Sequence, residues 1–267
     1  MEQLCRSINM PEEVTRQMVQ IHDTLEFFPC LALLMQEDHW TEGLEQLECA
    51  LGDDPCGFRG LCCMLRCALR CRDTYAQLNI PEQIYVDTMG AFSRFVREHR
   101  ESYGSYGFDR GFWVTRQISA KLFRIGQLEY ELTTRDGAPI VSLHIPTDAD
   151  LRPEVLRPSL KEGLAELLRL FPEYNGTQVY CHSWLLSPML REFLPENSNI
   201  LHFQELFQIE SDTVPGRSVL LWVFKNPNLP PEQYPEHTSL QRKLKAFFLS
   251  GGQFFEGRGW LRLPPEF

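Results

Sequence analysis

The sequence predicts an α+β protein in two parts: helices over residues 1–105, then a mixed, mainly antiparallel sheet with flanking helices over 106–267. Three observations carry this. Up to about Arg100 the apolar residues recur at three- and four-residue spacing, the period of one helix face. Beyond the Gly- and aromatic-rich stretch Tyr103–Gly111, where the domain junction is placed, alternation punctuated by turn residues takes over. A long helical pattern, Pro153–Phe171, then separates two strand patterns, which within one sheet implies a parallel crossover.

In the first part, Pro11-Glu-Glu starts a helix, because proline suits the first turn and acids complement its positive dipole end. After Pro55-Cys-Gly a helix carries Cys63, Cys67 and Cys71 every four residues, on one face with Ala and Leu neighbours. Neither a CxxC knuckle nor closely spaced Cys/His ligands occur, so these thiols read as small core hydrophobes and no metal is assigned. Pro81-Glu-Gln opens a helix bearing Ile84, Met89, Phe92, Phe95 and Val96.

In the second part, Lys121–Ile125 and Leu128–Thr133 alternate across the Gly126-Gln127 turn, and Asp136-Gly137 leads into Pro139–Ile145. Three antiparallel strands are expected there. The Pro153–Phe171 helix, a strand Thr177–Ser183 and a short helix from Ser187-Pro188 to Phe193 follow. Phe203–Glu210 and Ser218–Phe224 are expected as a strand pair joined across Thr213–Gly216, the second buried on both faces. A helix Ser239–Leu249 stops at Gly251-Gly252, and a short strand around Trp260–Leu263 closes the chain.

Composition narrows the function. With 36 acidic against 26 basic residues the formal charge is −10, which argues against a nucleic-acid binder, since that needs clustered Lys and Arg. No apolar run approaches the roughly 20 residues of a membrane span. The stretch Met1–Glu13 lacks the basic and hydrophobic regions of a secretory signal, and nine is an odd number of cysteines. The expectation is a cytoplasmic protein with free thiols.

Alternation also sorts the candidate chemistry. On Ile140–Ile145, Val141, Leu143 and Ile145 share one face, with Ser142 and His144 on the other. On Thr177–Ser183, Val179 and Cys181 oppose Gln178, Tyr180 and His182. If these strands are neighbours, His144 lies near Tyr180 or His182, with Ser183 at the strand end. An imidazole takes a proton from an attacking amine near neutral pH, and a hydroxyl can return one to a leaving group. His144, Tyr180, His182 and Ser183 are therefore the catalytic candidates. A Ser-based hydrolase has no GxSxG elbow to support it, and Cys181 alternates inward as a core thiol. Asn197-Ser-Asn199 reads as a helix cap and Trp184 as a packed aromatic.

His144-Ile-Pro-Thr-Asp-Ala-Asp-Leu151, Ser183-Trp-Leu-Leu-Ser-Pro-Met-Leu190, Asn197-Ser-Asn-Ile-Leu-His-Phe203 and Thr238-Ser-Leu-Gln-Arg-Lys-Leu-Lys245 resemble a bacterial family of acyltransferases. Its members pair a helical N-acyltransferase N-terminal domain with a C-terminal domain of GNAT-like fold, the fold of the N-acetyltransferase superfamily. The resemblance implies acyl transfer from acyl-CoA or acetyl-CoA to a small-molecule amine by direct attack in a ternary complex. It places the donor's pyrophosphate on backbone N–H groups at the start of the central helix, and the acyl arm where the two parallel strands splay. The donor-binding residues it implies are Ile145, Thr147, Asp148, Ala149, Asp150, Leu151, Arg152 and Cys181. The superfamily's phosphate signature, Arg/Gln-x-x-Gly-x-Gly/Ala, is missing between Ile145 and Val155, where Asp148 and Asp150 stand instead. An acyl-carrier protein as donor stays open, as does the alternative of a non-catalytic GNAT-like module that binds a small metabolite or protein partner.

Overall fold

A computed structural model describes residues 1–26 and 28–262. The chain divides into two compact units, Met1–Ile125 and Gly126–Phe267. The first is helical, as expected: α1 (Glu2–Ser7), α2 (Glu12–Thr24), α3 (Trp40–Leu51), α4 (Phe58–Gln77), α5 (Glu82–Tyr103) and α6 (Gly111–Ile118), ending on strand β1 (Leu122–Ile125). The cysteine face of α4 is core. Cys62, Cys63, Cys67 and Cys71 are completely buried and unpaired as disulfides. Burial pushes the Cys63 and Cys67 thiols up to about 12, which keeps them protonated and inert. Arg66 on α4 donates to the carbonyls of His22, Leu25 and Glu26 at 2.7 Å each, satisfying acceptors left open at the end of α2.

The second unit carries β2 (Leu128–Arg135), β3 (Ala138–His144), α7 (Pro153–Leu170), β4 (Val179–Ser183), α8 (Leu190–Phe193), α9 (Asn199–Gln204), β5 (Phe207–Ile209), β6 (Val214–Pro215), α10 (Ser218–Val223), α11 (Ser239–Leu249) and β7 (Phe255–Leu261). Its sheet runs β2-β3-β4-β7-β5, with β6 paired to β7. Every one of these pairings is antiparallel except β3–β4, which is parallel as the crossover through α7 requires. Leu156, Leu160, Leu164 and Leu167 bury one side of α7. Tyr130, Leu132, Val141, Leu143, Val179 and Cys181 form the buried face of β2, β3 and β4. The cap expected at Asn197–Asn199 is present, the Ser198 hydroxyl accepting from Ile200 N at the start of α9, and Thr238 and Gln241 form a reciprocal capping box on α11 that was not singled out from the sequence.

The expected strand pair Phe203–Glu210 and Ser218–Phe224 does not form. Ser218–Val223 is a helix, and the first segment divides into the end of α9 and the three-residue strand β5. A short apolar run satisfies either periodicity, so tertiary context decides. Here β7 already pairs with β4, β5 and β6, so α10 packs Val219, Leu220 and Phe224 into an apolar cluster with Leu190, Leu201, Tyr234, Leu244 and Phe254. Trp184 packs against the same cluster. The closing strand begins earlier than expected and lies inside the sheet; Leu263, its expected end, is outside the described residues. No helix among the described residues is long and apolar enough to cross a membrane.

Candidate active site

The two parallel strands pair at Val141–Val179 and Ser142–Tyr180. Beyond that, β3 continues through Leu143 and His144 and β4 through Cys181–Ser183, with no further register partner between them among the described residues. The strands therefore part toward their C-terminal ends. Leu143 and Cys181 stand on the buried side of this gap, His144 and His182 on the polar side. Burial holds the Cys181 thiol far up in its protonated form.

Each histidine has a carboxylate behind it. His144 Nε2 lies 2.7 Å from Glu131 Oε2 on the neighbouring strand β2, with both side chains largely buried. In the β2–β3 register Glu129 is opposite His144 and Glu131 opposite Ser142, so the ring turns back diagonally to reach Glu131. His182, which is exposed, has Nε2 3.4 Å from Glu256 Oε2 on β7, and Glu256 Oε1 accepts from Ser218 N at 2.9 Å. Burial pushes the Glu256 carboxyl up, but the His182 ring and the Ser218 N–H outweigh it and hold it below its ordinary value.

Tyr180 and Ser183 are committed to neighbours. The Tyr180 ring lies 4.8 Å from Trp260, with the Arg135 guanidinium 4.1 Å above it. Burial raises the Tyr180 hydroxyl, only partly countered by Arg135, so the phenol stays protonated. Trp260 Nε1 donates to Glu210 at 2.9 Å. The Ser183 hydroxyl accepts from Leu185 N at 3.2 Å and caps the turn Trp184–Leu186. His144, Tyr180 and His182 share the polar side of the sheet, whereas Ser183 ends β4 on the alternate face with Val179 and Cys181; of the four, His144 and His182 flank the gap itself.

The loop from Ile145 to Arg152 leads from β3 to the start of α7. Asp150 organises it. Its backbone N–H donates to Gln127 Oε1 at 2.8 Å, while its carboxylate accepts from Arg152 N at 3.0 Å and from Arg152 Nε at 2.9 and 3.0 Å. Gln127 is itself fixed, since its N–H donates to Ser159 Oγ on α7 at 2.9 Å. Hydrogen bonds from Arg152 hold the Asp150 carboxyl below the usual carboxylate range. Arg152 is thus turned onto Asp150, and the Ala149 N–H is spent on the Pro146 carbonyl. Thr147 and Asp148 are exposed; Ile145 and Leu151 are half-buried. Glu131, Glu256, Arg135 and Gln127 were not singled out from the sequence, because each acts across a strand register or turn that only the sheet order reveals.

Two co-directional strands that part beside a helix start, in an otherwise antiparallel sheet, are the arrangement of a GNAT-like fold, and the domain matches make the class a GNAT-like acyltransferase. Residues 122–261 match the GNAT-like C-terminal domain and residues 1–120 the N-acyltransferase N-terminal domain. The chain belongs to the family that joins these two domains. Among solved structures it is similar to an acyltransferase in complex with decanoyl-CoA and teicoplanin, at 25% identity and a TM-score of 0.79 over 98% of this chain and 87% of that one. An acyltransferase mutant in complex with octanoyl-CoA aligns with the same scores and coverage. The acyltransferase with decanoyl-CoA alone is 26% identical, with a TM-score of 0.77 over 98% and 87% of the two chains. Curated proteins gave no match.

Proposed function

We propose that this chain transfers an acyl group from an acyl-CoA thioester to an amine, by direct attack with both substrates bound. The parting of β3 and β4 beside the start of α7 is the observation that carries the reading, because it leaves room between backbones for a thioester arm. Solved relatives that hold decanoyl-CoA and octanoyl-CoA support a medium-chain donor, and the one that holds teicoplanin supports a glycopeptide amine among the acceptors to be tried. In the reaction the amine lone pair attacks the thioester carbonyl carbon and a C–N bond forms. His144 takes the amine proton, the C–S bond breaks, and the same proton passes to the departing sulfur, so amide and free thiol leave. Donors aimed at the carbonyl oxygen, where negative charge develops, lower the barrier further. Arg152 supplies the cation for the donor's phosphates, once it exchanges Asp150 for them.

The test has two arms. A hundredfold excess of decanoyl-CoA over its Kd should stabilise the protein by about 2.7 kcal/mol, whereas no shift at millimolar donor contradicts the reading. Free-thiol release with an amine acceptor should fall at least roughly tenfold in a His144→Ala protein that still folds and binds decanoyl-CoA; unchanged turnover removes His144 as the base.

A further inference from the structure

We infer that Glu131 is the positioning residue for His144, fixing its tautomer and making Nδ1 the nitrogen that accepts the amine proton. The inference rests on the reading of His144 as the base and goes beyond it to a second residue and a specific atom. The carboxylate of Glu131 is a pure acceptor when ionised, so at 2.7 Å the ring must present Nε2–H to it. A neutral imidazole carries one N–H, which leaves the basic lone pair on Nδ1.

Three features separate this contact from an incidental ion pair. Glu131 is 8% exposed and sits on a central stretch of β2, where a carboxylate needs close polar partners, and the His144 ring at 2.7 Å is one of them. The directly opposed residue in the register is Glu129, itself buried, yet the ring turns to the diagonal Glu131. Glu131 lies opposite Ser142, the last position of β3 still paired to β4, so the ring is anchored where the gap begins. When the ring takes up the amine proton, the carboxylate faces the resulting imidazolium and stabilises it, a role that orienting carboxylates perform behind catalytic histidines generally. By contrast His182, with its longer contact and exposed ring, is held far less tightly.

The test uses the full chain. In Glu131→Gln the turnover number should fall roughly 10- to 100-fold, with KM for decanoyl-CoA within about twofold of the parent. In a His144→Gln background the same change should cost nothing further, because Glu131 acts only through the ring. A long-range ¹H–¹⁵N spectrum of the parent, with the His144 signals identified by their loss in His144→Gln, should show the Nε2–H tautomer. Turnover lost in His144→Gln but kept in Glu131→Gln overturns the Glu131 assignment alone. Additive losses in the double variant, or an Nδ1–H tautomer in the parent, also overturn it. Turnover kept in His144→Gln overturns the base and with it any positioning of that base. Should Glu131→Gln fail to fold, the tautomer in the parent decides.

Discussion

Replacing Tyr130 with Phe should stabilise the protein. Tyr130 is fully buried on the face of β2 that packs on α7, and its hydroxyl has no hydrogen-bond partner among the described residues. Gly163 of α7 lies so close that a Cβ there would stand 2.4 Å from the hydroxyl oxygen and 2.9 Å from the ring carbon bearing it. A buried hydroxyl without a partner costs about 1–3 kcal/mol. Removing it forfeits dispersion contacts of one atom, each about 0.1–0.2 kcal/mol, so the net gain is on the order of 1 kcal/mol. For a chain of this size that amounts to a rise of about 2–4 °C in Tm. Calorimetry of the two proteins reads it directly. Gly163→Ala provides the converse: helix propensity favours Ala by about 1 kcal/mol, but the 2.4 Å contact makes the change destabilising. The penalty should shrink in the Tyr130→Phe background, where the nearest atom is the ring carbon. A Tyr130→Phe protein less stable by about 1 kcal/mol or more, a fall of about 2–4 °C in Tm on the same scale, would mean the hydroxyl has a partner and refute the reasoning.

Two further predictions concern the loop and the far side of the gap. Asp150→Ala releases Arg152 from its internal carboxylate, so KM for an acyl-CoA donor should fall severalfold, whereas Arg152→Ala should raise it; equal effects of the same sign would exclude competition between Asp150 and the donor. Glu256 has its folded value held below the ordinary 4.5, so its contribution to stability is complete above that pH and is lost as pH falls through the folded value. Glu256→Gln should therefore flatten the acid limb of a Tm-versus-pH curve while leaving a side-chain oxygen for Ser218 N, and an unchanged acid limb would contradict the role of the His182 and Ser218 contacts.

Much of this arrangement is legible in the residues. The alternation of Val141 and Leu143 against Ser142 and His144, and of Val179 and Cys181 against Tyr180 and His182, places each side chain on the face it occupies. The long pattern of α7 between two strands gives the parallel pair. Ser218–Val223 resisted because six apolar-rich residues fit either period, and what excluded a strand was the occupation of both sides of β7 by distant segments. The same nonlocality hid Glu131. A glutamate within Leu128–Thr133 looks like a solvated strand position until the register sets it diagonally from His144. As bare charges Asp148 and Asp150 repel a phosphate, but the fold pairs Asp150 with Arg152, a relation between a loop and a cap that no periodicity encodes.

A crystal structure of the full chain with decanoyl-CoA bears most directly on how the molecule works. The thioester carbonyl should lie between His144 and Cys181–Ser183, the pantetheine arm between β3 and β4, and the phosphates beside Thr147–Glu154. Decanoyl-CoA seated elsewhere, with side chains filling the space between those two strands, would leave the transfer chemistry without its donor site.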